Sequence, residues 1–599
     1  MSSHYEAPIR EPLVTGDKSY HDVSVEIAAP IEGRANKSWW IVFSIALVAF
    51  LWGLGCIIYT VSTGIGVWGL NKTIGWAWDI TNFVWWVGIG HAGTLISAVL
   101  LLFRQKWRMA VNRSAEAMTI FAVVQAGLFP IIHMGRPWLA YWVLPIPNQF
   151  GSLWVNFNSP LLWDVFAIST YLSVSLVFWW TGLLPDFAMI RDRATKPFQK
   201  KIYTLLSFGW SGRVKDWQRF EEVSLVLAGL ATPLVLSVHT IVSFDFATSV
   251  VPGWHSTIFP PYFVAGAIFS GFAMVQTLLL IMRKVVNLED YITVLHIEYM
   301  NKVIILTGGI VSVAYITEFF IGWYSGSPYE NYTYLSWGAA TGPYWWAFWA
   351  LITCNFIVPL SLWVKKLRRN IMWTFVVALI INTGMWFERF NIIVVDLSHG
   401  RTPSSWAMFS PTFVDIGVFI GTIGFFFVLF LLYARTFPVI AQAEVKTILK
   451  SSGEKYKKLR AEHGDEVSHV DSDPTAKEPA SNIREDLTEQ FDEENPEHED
   501  TVNADAITLS EVQKERLDEM LSRVGVYDPK TQEAGDLTKL KAVGPLLQQR
   551  LHQVGLYTFD QVSKLEERDF ELLNELIDRF PNAEKREDWV AQATKLKNK

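Results

Sequence analysis

The sequence predicts an all-α polytopic membrane protein that carries a small α-helical module at its C-terminal end. Of its 599 residues, 51% are hydrophobic and 14% are aromatic, including 28 Trp, and this composition is far outside the range of ordinary soluble domains. Ten segments are apolar over a length that can cross a bilayer. They cover residues 39–62, 79–103, 115–133, 160–184, 222–245, 260–282, 299–323, 343–364, 371–395 and 413–433.

The basic residues of the loops predict the orientation of these spans. Eighteen Lys and Arg residues follow the second, fourth, sixth and eighth spans, whereas the opposite loops carry only Lys72, Arg136 and Arg401. Because cytoplasmic loops are enriched in basic residues, we expect both termini in the cytoplasm. The loop between the third and fourth spans then lies on the outer, electropositive face of the membrane.

Cysteine usage limits the redox chemistry expected of the chain itself. Cys56 and Cys354 are its two cysteines, and both lie inside apolar segments. Disulfide frameworks, c-type haem attachment and iron–sulfur clusters need larger or differently spaced Cys sets. We therefore expect no haem or iron–sulfur cluster in this chain, and any redox metal on another subunit. The polar first 38 residues show no features of a cleaved signal peptide.

Composition divides the chain into four parts. Residues 1–38 form a cytoplasmic N-terminal segment, and residues 39–434 form the membrane domain. Residues 435–506 read as an amphipathic stretch followed by an acidic disordered linker. Residues 507–599 read as a helical module, in which Val543-Gly544-Pro545 separates two short helical periods, as in helix-hairpin-helix modules. Basic and acidic residues balance from residue 536 onward, which favours a protein partner over nucleic acid.

The stretch from Phe129 to Asp164 organises the functional interpretation. His133 closes the third span and Asp164 opens the fourth, so both are expected near the same membrane face, with Arg136 and Trp138 between them. An ionisable side chain inside the hydrocarbon edge costs at least ~2.5 kcal/mol, and its default interpretation is functional. The alternative is that both groups merely complement helix dipoles.

Further ionisable residues lie within the predicted spans. His91 lies at the middle of span two among small residues, where a packed histidine bonded to a carbonyl is the alternative to a proton carrier. Asp79 opens the same span and fits a helix cap better than a catalyst. A second set comprises His239, Asp245, Glu318, Glu388 and Arg389. The adjacent Glu388 and Arg389 fit a structural ion pair as well as a functional one.

Three motifs together resemble those of the NrfD/polysulfide-reductase family of membrane subunits, most closely the C subunit of alternative complex III. They are WWVGIGHAGTLISA in span two, FPIIHMGRPW at the end of span three and SPLLWD at the start of span four. The resemblance covers about residues 39–433. It implies two four-helix bundles, about residues 79–245 and 260–395, with one flanking helix on each side. The tail beyond residue 450 departs from the family pattern.

The resemblance also implies a function. Family members exchange electrons with quinols, menaquinol among them, and pass them to an iron–sulfur subunit on the outer face of a bacterial cytoplasmic membrane. Their complexes contain c-type cytochrome subunits and a homologous membrane subunit. By position, His133 and Asp164 match the quinol site and His91 matches a proton route. Arg136 and Trp138 are candidate quinol contacts, and Asp79, His239, Asp245, Glu318, Glu388 and Arg389 are candidate members of the proton path.

Quinol oxidation requires an apolar slot, a hydrogen-bond partner for the hydroxyls and a base. His133 and Asp164 suit the second and third of these roles.

Two other classes of protein stay open. Duplicated bundles with buried charges also fit a secondary transporter or proton channel, although transporters commonly have helices broken near the midplane. A membrane tether that presents the C-terminal module to a cytoplasmic partner is the second.

Overall fold

The structure is a computed structural model that describes residues 11–16, 18–146, 157, 159–255, 258–334, 342–449, 511–527, 534–540, 543, 545–576 and 589–597. The chain divides into two compact units, a membrane unit within residues 8–472 and a C-terminal unit within residues 473–599. The predicted acidic linker and part of the loop between His133 and Asp164 lie outside the described residues.

Ten helices in the described part of the chain are long and apolar enough to cross a membrane, as predicted. They are α2 (Lys37–Thr63), α3 (Trp78–Leu102), α4 (Asn112–His133), α5 (Pro160–Arg193), α7 (Val214–Ala247), α8 (Phe259–Val285), α9 (Val294–Tyr324), α11 (Trp345–Trp363), α13 (Ile371–Ser398) and α14 (Phe413–Thr436). The shorter helices of this unit are α1 (Tyr20–Glu32), α6 (Pro197–Leu206), α10 (Pro328–Asn331), α12 (Lys365–Arg368) and α15 (Gln442–Lys446). We call the end of the membrane unit that carries His133 the outer end and the opposite end the inner end.

The membrane helices form two bundles that meet along α3 and α8. The first bundle consists of α3, α4, α5 and α7, and the second of α8, α9, α11 and α13. Gly271 of α8 lies directly on Ala92 of α3, and a side chain at Gly271 would collide with it. Small residues therefore set the distance between the bundles, as is common in membranes, where packing drives helix association.

The two flanking helices, α2 and α14, pack against each other. Gly53 of α2 lies against Gly421 of α14, and a Cβ built on Gly53 would lie 2.9 Å from the carbonyl oxygen of Gly417. A side chain at Gly53 would therefore force the helices apart. The first and last spans, which are distant in sequence, are neighbours in space.

This contact predicts opposite effects for two glycines of the same helix. Gly53→Ala is expected to lower the free energy of unfolding of the membrane unit by about 1–3 kcal/mol, the usual cost of overpacking. Gly55→Ala is the matched control, because a Cβ at Gly55 meets nothing within 4 Å and alanine is the better helix former. Thermal unfolding of the purified variants measures both. Equal melting temperatures would show that the close contact contributes no stability.

Two helices of the second bundle contain π-helical turns, at Thr353–Ile357 in α11 and at Asn391–Val395 in α13. A π turn inserts one residue into a helix and is frequent at functional sites. Both spans nevertheless stay helical throughout. This differs from the unwound midplane breaks of many transporters.

The segment after the last span, where the sequence predicts an amphipathic stretch, belongs to the membrane unit. Val439, Ile440, Val445 and Ile448 are buried in its core. Helix α15 packs on α1, and Lys446 donates a hydrogen bond of 2.6 Å to the hydroxyl of Ser24. Composition alone did not reveal this contact, because the apolar residues of the segment are interspersed with charged ones.

The C-terminal unit is helical where it is described. Its helices are α16 (Glu511–Val524), α17 (Pro545–Gln553), α18 (Phe559–Ser563), α19 (Glu567–Leu576) and α20 (Trp589–Lys597). Its core includes Met520, Leu551, Leu573 and Trp589, each at most 2% exposed. The apolar positions of its described residues thus build a core of their own. That residues 507–599 form one module stays a prediction.

Candidate functional site

His133 and Asp79 form a hydrogen-bonded pair at the outer end of the first bundle. Nδ1 of His133 bonds to Oδ2 of Asp79, whose Oδ1 accepts from the backbone N–H of Ala77 at 3.0 Å. The Asp79 side chain is 3% exposed and that of His133 is 25% exposed. Asp79 therefore holds the backbone N–H of Ala77 at the start of α3 and also orients an imidazole that can be reached from outside. The ring of Trp68 flanks this imidazole at 6.3 Å between centroids.

Asp164 and Asp245 form a second pair at the same end. Asp164 lies near the start of α5 and Asp245 in the last turn of α7, and their carboxyl groups lie close enough to share a proton. Oδ1 of each residue is buried without a hydrogen-bond partner among the described residues. Two carboxylates this close repel each other when both are ionised, and a shared proton relieves the repulsion. The pair is therefore suited to holding one proton.

These contacts differ from the prediction, which placed His133, Asp164 and Arg136 together near one membrane face. In the described residues, His133 and Asp164 each pair with a residue of another helix and not with each other. Arg136 and Trp138 lie on the exposed side of the loop, where Trp138 is 62% exposed. The antiparallel packing of α3 with α4 and of α5 with α7 determines the partners. Sequence proximity could not reveal them.

His91, Tyr171 and His239 form a buried aromatic cluster in the middle of the first bundle. The His91 ring stacks on Tyr171 and meets His239 edge-on, both at 4.8 Å between centroids. Nδ1 of His91 bonds to the carbonyl oxygen of Val87 at 2.5 Å. Nε2 of His91 and both ring nitrogens of His239 are buried without a partner among the described residues. The carbonyl bond of the alternative interpretation is thus present, but three ring nitrogens of the two histidines have no partner among the described residues.

Glycines bring α4 close to this cluster, as the sequence predicted. A Cβ on Gly90 would lie 2.9 Å from a methyl group of Val123, and one on Gly93 would collide with Thr119. The hydroxyl of Thr119 donates to the carbonyl oxygen of Gly90 at 2.7 Å. The close packing thereby places hydroxyl groups of α4 at the level of His91.

A series of hydroxyl groups leads from this cluster toward the inner end. The Tyr171 hydroxyl donates to the carbonyl of Gly90 at 2.9 Å and lies beside the hydroxyls of Thr94, Ser175 and Thr119. Thr94 donates to Ser175 at 2.9 Å, and one turn further along α3 Ser97 bonds to Glu116. Sequence analysis missed this series, because Ser and Thr residues in spans are common.

The series ends at a buried ionic cluster at the inner end. Arg113 contacts Glu116 at 3.2 Å, and Asp186 and Glu444 at 3.3 Å each. The side chains of Arg113, Glu116 and Asp186 are at most 3% exposed. Glu116 and Asp186 lie inside apolar helices, so the rule applied to Asp164 could have identified them. The segment that carries Glu444 could not be placed in this cluster without its fold.

Glu388 and Arg389 form a buried pair in the second bundle, with Arg389 Nη1 3.2 Å from Glu388 Oε1. Glu388 accepts hydrogen bonds from Tyr315 and Asn355, and the Tyr262 hydroxyl lies beside it. The Arg389 guanidinium lies over the ring of Phe263 at 4.0 Å, and this ring is 5.8 Å from that of His239. Phe263 therefore links the pair to the central histidines by contact and not by hydrogen bonds.

Glu318 is separate from the groups above. Oε2 of Glu318 accepts from the Tyr334 hydroxyl at 3.3 Å, and its side chain lines a cavity of the second bundle. Apart from Arg136 and Trp138 on the exposed loop, the predicted site residues therefore fall into five places: the two outer pairs, the central histidines, the Glu388–Arg389 pair and this cavity. Among the described residues, no cluster of three or more His, Cys, Asp or Glu side chains could hold a metal ion.

Comparison with known proteins agrees with this architecture. Residues 66–397, more than half of the chain, match the family model described as polysulphide reductase, NrfD. Residues 537–597 are similar to the RS2/RL21/YNQ2 HHH domain, in line with the helix-hairpin-helix pattern of the sequence.

The similarity to three relatives extends over most of the length of each relative. A Halobacterium salinarum protein, named as a membrane subunit of a dimethyl sulfoxide reductase, is 24% identical over 65% of this chain and 88% of its own. A selenate reductase subunit of Mesobacillus selenatarsenatis is 21% identical over 65% and 91%. The Hdr-like menaquinol oxidoreductase integral membrane subunit of Archaeoglobus fulgidus is 19% identical over 70% and 98%.

These relatives are subunits of oxidoreductase complexes, and the match of the family model covers both bundles and the outer site. The chain is a multi-pass integral membrane protein that belongs to the NrfD/polysulphide reductase family of membrane subunits.

Proposed function

We propose that this chain is the quinol-binding membrane subunit of a respiratory oxidoreductase complex of the alternative complex III type. The observation that carries the proposal is the partly exposed His133 bonded to buried Asp79, with the Asp164–Asp245 pair at the same end of the bundle. The menaquinol oxidoreductase subunit among the relatives supports menaquinol or another quinol as the substrate.

In the proposed reaction His133 is the base that acts on the quinol. With Nδ1 bonded to Asp79, Nε2 can accept the proton of one quinol hydroxyl. Asp79 is a positioning residue, because it holds the ring and stabilises the imidazolium that forms. Arg136 and Trp138 are proposed contacts to the substrate at the rim of this site.

The second proton goes to the carboxyl pair in this proposal. Oxidation of a quinol releases two protons and two electrons, and Asp164 and Asp245 share one vacant proton position when one of them is ionised. The two electrons pass to an iron–sulfur subunit at the outer face and then to c-type cytochrome subunits. The proposed complex also contains a homologous membrane subunit and lies in a bacterial cytoplasmic membrane, with both termini of this chain in the cytoplasm.

A proton path through the first bundle is the second part of the proposal. It begins at Glu116, follows the hydroxyls of Ser97, Thr94 and Tyr171, and reaches His91. His239, in ring contact with His91, and Asp79 and Asp245 near the outer end continue it. Glu388 and Arg389 adjoin this path through Phe263. Protons would thus move between the inner end and the outer site.

Assay of the purified complex tests the proposed function. The complex is expected to oxidise quinol and reduce an electron acceptor, and truncation after Lys450 is expected to leave turnover unchanged. The reason is that all the proposed catalytic groups lie in the membrane unit. Transport of a solute without quinol oxidation would instead identify a transporter. We propose a protein, and not a nucleic acid, as the partner of the C-terminal module.

His91→Leu tests the proton path. Leucine fills the space beside Tyr171 but cannot carry a proton, so we expect quinol binding to persist while proton uptake from the inner side falls. Proton release and uptake are measured with pH-sensitive dyes in proteoliposomes. Tyr171→Phe, which keeps the stacked ring and removes the hydroxyl, should reduce uptake as well. Normal proton stoichiometry with a lower melting temperature would make His91 a purely structural residue.

A further inference from the structure

A cavity at the outer end of the second bundle has the properties of a second binding site. The empty space within it, including the part that is open to the surroundings, is about 600 Å³. Its walls come from α8, α9, α11, α13 and the segment around α10. They consist of Phe259, Tyr262, Tyr315, Glu318, Phe319, Thr333, Tyr334, Phe348, Leu351, Asn391, Ile392, Val395 and Asp396.

Aromatic rings give the cavity flat walls. Phe319 lies between Tyr334 and Phe348, with ring centroids 5.9 and 5.4 Å away. Tyr262 and Tyr315 meet edge-on at 5.7 Å on another part of the lining. Flat aromatic surfaces favour a planar ring, because ring pairs stack or meet edge to face at these distances.

The polar groups of the cavity are mainly hydrogen-bond acceptors. The Tyr315 hydroxyl donates to Glu388, and the Tyr334 hydroxyl has the carbonyl of Gly253 at 2.9 Å and Glu318 at 3.3 Å as acceptors for its single proton. Asp396 is 5% exposed and supplies a second carboxylate to the lining, close enough to Glu318 for the two charges to repel each other. Two carboxylates that repel each other in a buried site are costly unless hydrogen-bond donors stabilise them. The ligand that fits must therefore bring donors.

The backbone around Asp396 is arranged to keep this carboxylate at the cavity. The π turn at Asn391–Val395 immediately precedes it and supplies three of the lining residues. Gly253, with φ of +91°, lies against the carboxylate, and a Cβ there would be 2.8 Å from Asp396 Cγ. The π turn is a feature found frequently at functional sites, and the glycine lets the backbone approach the carboxylate closely.

We propose that this cavity binds a second molecule of the hydroquinone class, independently of the His133 site. A hydroquinone is planar, fits the aromatic walls and offers two hydroxyl donors to Asp396 and Glu318. The choice of ligand rests on the proposed function, whereas the cavity and its two carboxylates do not. Asp396 and Glu318 then act as acceptors for the bound ring, and the chain holds two quinol sites at one end, one in each bundle.

Photoaffinity labelling of the full complex tests this inference. A hydroquinone analogue with a photoreactive group is irradiated with the complex in lipid nanodiscs, and the labelled peptides are identified by mass spectrometry. We expect label near His133 and also on peptides that contain Tyr334, Phe348 or Asp396. Asp396→Asn should reduce the second label about tenfold or more and leave the first unchanged. His133→Ala should do the reverse.

A second variant keeps the test valid if Asp396→Asn does not fold. Phe348→Trp adds bulk at the partly buried wall of the cavity and should also reduce the second label, while thermal unfolding confirms that the variant is intact. Label near His133 alone would overturn this inference and leave the proposed function standing. The absence of both labels would contradict the proposed function itself.

Discussion

Replacement of His133 by alanine is expected to slow quinol oxidation by about 10²–10⁴-fold, the usual contribution of a general base. It should also weaken quinol binding, because the substitution removes a hydrogen-bond partner at the partly exposed end of the His133–Asp79 pair. Steady-state kinetics of the purified complex separate the two effects as changes in kcat and KM.

His255→Ala is the matched control for this variant. His255 is an exposed histidine in the loop between α7 and α8, at the same end of the membrane unit, and its loss should change neither constant. Asp79→Asn should lower kcat by less than His133→Ala, because the amide keeps the contact but not the charge. Near-normal kcat and KM for His133→Ala would show that His133 only ends α4.

Asp164→Asn is expected to slow quinol oxidation by about 10²-fold or more while the complex stays assembled. The amide has the volume of the carboxyl group and can still bond to Asp245, but it cannot exchange the shared proton. Turnover and thermal unfolding of the same preparation distinguish loss of chemistry from loss of fold.

The shared proton also predicts the activity of the Asp164→Asn, Asp245→Asn double variant. If Asp164 and Asp245 hold one proton between them, Asp245→Asn and the double variant should lose about as much activity as Asp164→Asn alone, since residues that act as a unit are not additive. Losses that multiply in the double variant would mean that the two carboxyl groups act separately.

Most of the architecture could be predicted from apolar length alone. The ten predicted spans correspond to ten helices, and helix ends such as His133 and Pro160 match the prediction to the residue. The lengths of α5 and α7 were underestimated, because Arg191 and Asp216 extend these helices beyond their apolar parts. Hydropathy marks the apolar part of a helix, whereas backbone hydrogen bonds continue into the polar flanks.

Partners across helices could not be predicted in the same way. The sequence identifies His133, Asp79, Asp164 and Asp245 one at a time, but which pairs form depends on which helices are neighbours. Likewise, Glu444 joins Arg113 only because the chain folds back under the bundle after the last span. Residues that carry no unusual signal by type, such as Tyr171, were missed for the same reason.

An experimental structure of the complex with a bound quinol analogue tests the central claim most directly. The account predicts an oxygen of the ring within about 2.6–3.2 Å of Nε2 of His133, with Nδ1 still bonded to Asp79 and the ring near the Asp164–Asp245 pair. An analogue that occupies the complex with its ring away from His133, while His133 and Asp79 keep their bond and contact no ligand, would contradict the account.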